Sequence, residues 1–148
     1  MLKNYTSSVP AKQSVANIEN KLVLCGARKI MKEYDEDNAL DAIFFIIPVN
    51  GKEIPFKLPA KKEKCQAILR AKVKRPTTQT EKRVVEQAER TAWKIIHDWI
   101  EVKMALIELG QEEIVESFLA YVYDASQDKT YYEKLKEKSF RGLLEAPT

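Results

Sequence analysis

The chain has 148 residues, of which 45% are hydrophobic and 32% charged, with a formal net charge of +3. That balance suits one globular domain with a real core and excludes a disordered or low-complexity chain. No stretch approaches the 18 consecutive apolar residues of a membrane span, and "MLKNYTSSVPAKQS" lacks the apolar segment of a secretory signal, so a cytoplasmic location and no membrane partner are the expectation.

In chain order, Val15, Ile18, Leu22 and Cys25 recur at helical spacing, and Gly26 follows as a left-handed cap, which predicts a helix from Ala11 to Cys25. "ARKIMKEY" reads as a first strand and "DEDN" as a turn. In "FFIIPVNGKEIPFKLP" the Asn50-Gly51 pair predicts a type I′ hairpin. Its register sets Val49 opposite Lys52, Ile47 opposite Ile54, Phe45 opposite Phe56 and Ile43 opposite Leu58, so the last three pairs present six apolar side chains on one core face. Phe44 and Ile46 lie on the other face, which something must partly cover. Pro48 and Pro55 cannot donate ladder bonds and belong at an edge or at non-bonded positions.

A second helix is expected between Pro59 and Pro76, burying Cys65, Ile68, Leu69 and Val73, with Lys62, Gln66, Arg70 and Lys74 as a polar stripe. "TQTE" from Thr78 matches a capping box and opens a third helix ending at Gly110. Val85, Ala88, Ala92, Ile95, Trp99, Val102, Leu106 and Leu109 form its seam, flanked by Trp93, Ile96, Ile100 and Ile107. At 1.5 Å per residue this helix would span about 46 Å, so it must bend, support another subunit or be covered along its length. A fourth helix over Gln111–Tyr123 folds back antiparallel, a short one follows around Thr130–Lys138, and the tail "FRGLLEAPT" is a further apolar tab. The expected fold is α+β: a small antiparallel sheet of about three strands packed on helices, then a long helix and a helical return. Residues 1–148 form a single domain with a basic helix–sheet–helix half (11–75) and a helical half (78–148).

Chemistry is sparse. The one histidine, His97, has Glu101 one turn on, but no third ligand is evident and no zinc-protease or deaminase spacing occurs. Cys25 and Cys65 read as buried free thiols. Neither phosphate-loop spacing nor a nucleophile elbow is present. No catalytic residue, metal, cofactor or small-molecule substrate is assigned, and a metal-assisted enzyme using His97 and Glu101 is the weakest reading.

Charge is more informative. Residues 1–76 hold 15 Lys and Arg against 8 Asp and Glu, while residues 77–148 hold 10 against 14. Within 57–75, Lys57, Lys61, Lys62, Lys64, Arg70, Lys72, Lys74 and Arg75 face Glu63 alone. Three of these lysines open the second helix, where its dipole disfavours cations and an anionic partner would relieve them. The leading expectation is a non-enzymatic protein that binds nucleic acid without strong sequence preference, using Lys57, Lys61, Lys62, Lys64, Arg70, Lys74 and Arg75 with Arg28 and Lys29 in support. Tyr34 and Phe44 are candidate stacking platforms. The alternative is an interaction module, assembled as a homodimer through Trp93, Trp99 and Leu106.

The stretch "VVEQAERTAWKIIHDWIEVKMALIELGQEEIVESFLAYV", together with "ARKIMKEY", "PFKLP" and the pairs Ala92-Trp93 and Asp98-Trp99, resembles a group of uncharacterised proteins encoded in bacteriophages and prophages. The resemblance covers most of the chain and brings no active-site residues. It implies a setting near phage replication and recombination, hence an accessory role linked to nucleic acid.

Overall fold

The computed structural model describes residues 1–143. Helix α1 (Ala11–Leu24) precedes strands β1 (Lys29–Tyr34), β2 (Leu40–Val49) and β3 (Lys52–Pro59), then α2 (Lys62–Arg70) and α3 (Thr78–Glu108). A one-turn helix α4 (Ile114–Ser117), a 3-10 turn (Leu119–Tyr121), a small hairpin of β4 (Tyr123–Asp124) and β5 (Lys129–Thr130), and α5 (Tyr131–Glu137) complete it. The α+β class and the three-stranded antiparallel sheet, ordered β1-β2-β3, match the sequence reading.

The hairpin forms because Asn50 and Gly51 both adopt positive φ, 52° and 79°, as a type I′ turn requires. The predicted register holds at all four pairs. Because the pair flanking a two-residue turn is hydrogen-bonded, Pro48 and Pro55 fall in the intervening non-bonded pairs. β1 starts at Lys29, opposite Ile46, so Pro48 lies beyond its paired span and leaves no ladder bond unmade on that side. At the outer edge of β3, a single bridge from Phe56 to Val122 covers part of the open ladder.

The core lies between the sheet and the helices. Ile18 and Leu22 of α1, Ile43, Phe45 and Ile47 of β2, Phe56 and Leu58 of β3, and Trp93 and Ile100 of α3 are all essentially without solvent contact. Phe45 and Phe56 stack with centroids 4.9 Å apart, and Phe118 meets their edges at 5.6 and 5.9 Å. α1 closes at Gly26, whose φ of 108° would strain any other residue. The second sheet face is covered by Tyr123, whose ring meets Phe44 edge-on at 5.0 Å.

The expected helix bounds and caps need correction in four places. α2 begins at Lys62 rather than at Pro59, because Pro59 is still paired to Ala42 and the amide of Ala60 donates to the Asp41 carbonyl. It also stops at Arg70, leaving Ile68 exposed. The α3 cap is Thr77, whose hydroxyl accepts from the Thr80 amide, while Glu81 reaches to Arg70 and plays no part in a capping box. The helical return is one turn rather than a helix over Gln111–Tyr123. Phe118 must enter the aromatic cluster and Val122 must bridge β3, and these tertiary demands override helix propensity.

α3 packs against α1 and α2, and its Trp93 and Ile100 join the core beneath the sheet. Val85, Val102 and Leu109 of the predicted seam face solvent, because the buried stripe runs instead through Val84, Ala88, Thr91, Ala92, Trp93, His97 and Ile100. The short helix expected at Thr130–Lys138 is α5, with a reciprocal capping box between Thr130 and Glu133. The last five residues of the predicted apolar tail lie outside the described residues. No helix among the described residues is long and apolar enough to cross a membrane.

Candidate functional site

The end of β3 delivers the chain to α2 at Ala60, so Lys61 and Lys64 emerge on the outer side of the sheet's edge. The β4–β5 hairpin, tied to β3 through Val122, brings α5 up against the same place. The result is an open groove of about 1010 Å³. Lys61 and Lys64 form one wall, Lys129, Tyr132 and Lys136 the other, and Tyr121 the floor.

Two carboxylates enter this groove and both are engaged. Glu137 takes Lys129 at 2.5 Å. The Glu133 carboxylate accepts from the Thr130 amide at 3.0 Å. That bond chiefly, with added attraction from Lys57 and Lys61, holds its carboxyl below the usual range. Lys61, Lys64 and Lys136 make no ion pair among the described residues. Lys61 and Lys64 also lie at the positive end of the α2 dipole, a placement that costs roughly 0.3–1 kcal/mol each when exposed and that an anion would relieve.

Not every predicted residue reaches this groove. Lys62 must be withdrawn from the interface: its side chain is 4% exposed, with the ammonium 2.6 Å from Asp35 and 3.8 Å from Asp41. It staples α2 to the β1–β2 turn. The polar stripe of α2 is thus broken at its first member, and Arg70 is committed to Glu81, with Nε 2.9 Å from Oε2. Lys57 extends over the Phe44 and Tyr123 rings, 5.4 and 5.9 Å from their centroids, and lends its charge to the groove through Glu133. Lys74 and Arg75 stand exposed in the loop after α2, where Lys72 caps the Tyr5 ring at 5.1 Å.

Arg28 and Lys29 are elsewhere. Lys29 pairs with Ile46 while Pro59 pairs with Ala42, which separates the two ends by four residues of β2, or about 13 Å. Lys29 also approaches Glu53 at 3.8 Å. They cannot join Lys61 in one compact site. Of the stacking candidates, Phe44 is half-buried beneath Tyr123 and Lys57, and Tyr34 is exposed on the β1 strand away from the groove. The proposed interface residues also turn inward. Trp93 is fully buried, its indole N–H donating to the Leu40 carbonyl at 3.2 Å, and Trp99 packs on Phe118 and Tyr121. Leu106 is half-buried.

Sequence reasoning missed Lys129, Lys136, Tyr121 and Tyr132. A signal existed: residues 129–143 hold five Lys and Arg against two Glu. Counting by halves hid it behind the acidic stretch of α3 and α4.

The histidine is more surrounded than its sequence context suggests. His97, Asp98 and Glu101 bring ligand-type atoms within 4.8 Å of one another, so Asp98 supplies the third ligand that sequence reasoning did not find. His97 Nδ1 lies 3.0 Å from Asp98 and 3.2 Å from Glu101, contacts that suit a protonated Nδ1 donating to either carboxylate. Lys94 donates to the same Asp98 oxygen at 3.1 Å, and Asn4 donates to its other oxygen at 2.9 Å. Burial opposes ionisation of Asp98, but the bonds from Asn4, His97 and Lys94 outweigh it and hold the carboxyl well below its usual range. Through Asn4, and through Lys3 at 3.4 Å, the Asp98 carboxylate ties the N-terminal segment to α3, with Lys94 as a further cation beside it.

No protein-family model matches the chain, and no curated protein or solved structure shows a significant match to it.

Proposed function

We propose that this is a non-enzymatic, phage-type accessory protein that binds the nucleic-acid backbone through the groove between α2 and α5, without strong sequence preference. The observation that carries this reading is the convergence of four lysines, from the start of α2, from β5 and from α5, on one open groove, three of them without a carboxylate partner among the described residues. Lysine clusters of this kind take up phosphates by displacing condensed counterions, and the gain does not depend on base identity. Tyr132, 48% exposed in the groove wall, adds an aromatic surface on which a base can stack. The phage-type setting rests on the sequence resemblance alone.

The test is a triple charge reversal, Lys61→Glu, Lys64→Glu and Lys136→Glu, in an electrophoretic mobility assay with single- and double-stranded oligonucleotides. Retarded migration with the wild-type protein and none with the variant supports the reading. Equal retardation by both rejects it. A second reading, a homodimer assembled through the distal part of α3, is favoured by Val102 and Leu109, which are 59% and 80% exposed there. Sedimentation of the wild-type protein against Val102→Lys/Leu109→Lys decides it, because only a dimer would lose mass.

A further inference from the structure

We infer that the strand held in the lysine groove is single, and that one of its bases seats in an apolar slot opening from that groove. The inference rests on the nucleic-acid reading above and adds to it the form of the ligand. The slot, about 250 Å³, lies between α2 and α3, with Cys65 and Ile68 facing Ala92, Ile95 and Ile96. It shares Pro59, Lys61, Lys64 and Tyr121 with the lysine groove, so apolar and cationic surfaces meet along one edge.

Charge complementarity selects the occupant. Anything entering the slot passes Lys61 and Lys64 at its mouth, which suits an apolar group carried between two negative charges. A nucleotide in a single strand has this form: a flat base with apolar faces, flanked by phosphates. Unstacked bases are held between aromatic and apolar side chains wherever proteins extrude them. A duplex keeps its base faces stacked inside and presents phosphates and base edges, so it can use the lysines but not the slot. Apart from Lys61 and Lys64 at the mouth and Tyr121, the slot is lined by apolar side chains and offers no paired donor and acceptor to read a base edge, so it should accept any base. Ile68, 44% exposed on the slot wall, is the aliphatic surface a seated base would remove from water.

The test compares three labelled probes by fluorescence anisotropy at low salt: a twelve-nucleotide thymidine strand, the same strand with abasic sugars throughout, and a duplex of equal length. The thymidine strand should bind about tenfold more tightly than the abasic one, the size of one stacking contact. Ile68→Gln, a change at an exposed position that adds no charge, should erase that difference while leaving the abasic strand's affinity unchanged. Equal affinity for all three probes overturns the slot and leaves the lysine groove standing. A thymidine preference that survives Ile68→Gln also overturns it. Failure of every probe to bind overturns both readings. Binding of an N-acetylated Glu-Glu-Leu-Leu-Glu-Glu peptide with none of the oligonucleotides assigns the slot to an acidic protein partner and overturns it as well.

Discussion

Lys62 and Asp35 form an asymmetric pair, and the asymmetry is measurable. The ammonium is almost completely enclosed, whereas Asp35 is 29% and Asp41 41% exposed. Replacing Lys62 by Met removes the buried charge and leaves two carboxylates that water can reach. Exchanges of buried ions for apolar groups of similar volume are often close to neutral, so Lys62→Met should cost about 1 kcal/mol or less. Asp35→Asn does the opposite. It keeps an oxygen to accept from the Asp37 and Ala39 amides, at 2.9 and 3.0 Å, but leaves the enclosed ammonium with Asp41 alone at 3.8 Å. Stranding one partner of a buried pair costs 3–5 kcal/mol. Discounted for the remaining Asp41 and for the partial exposure of Asp35, about 2 kcal/mol is expected. Urea denaturation followed by tryptophan fluorescence reads this as a midpoint lowered by about 1 M for Asp35→Asn, with a denaturant slope near 2 kcal/mol/M. Lys62→Met should also bind oligonucleotides as the wild type does. If Lys62→Met proves as costly as Asp35→Asn, or if it weakens binding, the assignment of Lys62 to the fold rather than the groove is wrong.

Other consequences can be checked in the same way. The Asp35 carboxyl is held below its usual range, chiefly by the Lys62 hydrogen bond, and that of Glu133 by the Thr130 amide. Depressed carboxylates lend stability above their unfolded pKa values, near 4, and lose it as pH falls through the folded ones. Melting temperature should therefore be flat from pH 7 to about 5 and drop below about 4, and the drop should be shallower in Asp35→Asn; an unchanged slope contradicts the pairing. Gly51→Ala meets no neighbouring atom, so its cost is the backbone strain of a positive φ, about 1 kcal/mol by denaturant midpoint. A neutral outcome would mean that the turn is not type I′. Trp93→Ala should cost about 3–5 kcal/mol through the cavity it leaves, with no change in sedimentation of the folded fraction, because Trp93 packs within its own chain.

The sheet was legible because its determinants are local. Asn50-Gly51 dictates the turn, and the alternation of Ile43, Phe45 and Ile47 against Ile54, Phe56 and Leu58 dictates the register. α1 was equally plain from its spacing and Gly26. The region after Gly110 was not, because Phe118 and Val122 answer to partners more than 60 residues away in the chain, and no helical period records that obligation. The candidate site was half legible for a related reason. Lys61 and Lys64 stand in a conspicuous basic run, but Lys129 and Lys136 reach them only through the β4–β5 hairpin. The same run also contains Lys62, which faces inward because the β1–β2 turn offers it Asp35. A lysine's composition window cannot tell a solvated charge from a buried one; only its carboxylate neighbours across the fold can.

The central claim is that the groove lysines bind phosphates, and salt dependence tests it most directly. Affinity of the wild-type protein for a twelve-nucleotide thymidine strand, measured by anisotropy at several salt concentrations, should fall linearly in log–log form. Four lysines on a single strand predict a slope of about −3. The Lys61→Glu/Lys64→Glu/Lys136→Glu variant should show a slope near zero and far weaker binding at low salt. An affinity that ignores salt, or a variant that retains the wild-type slope, would contradict the account.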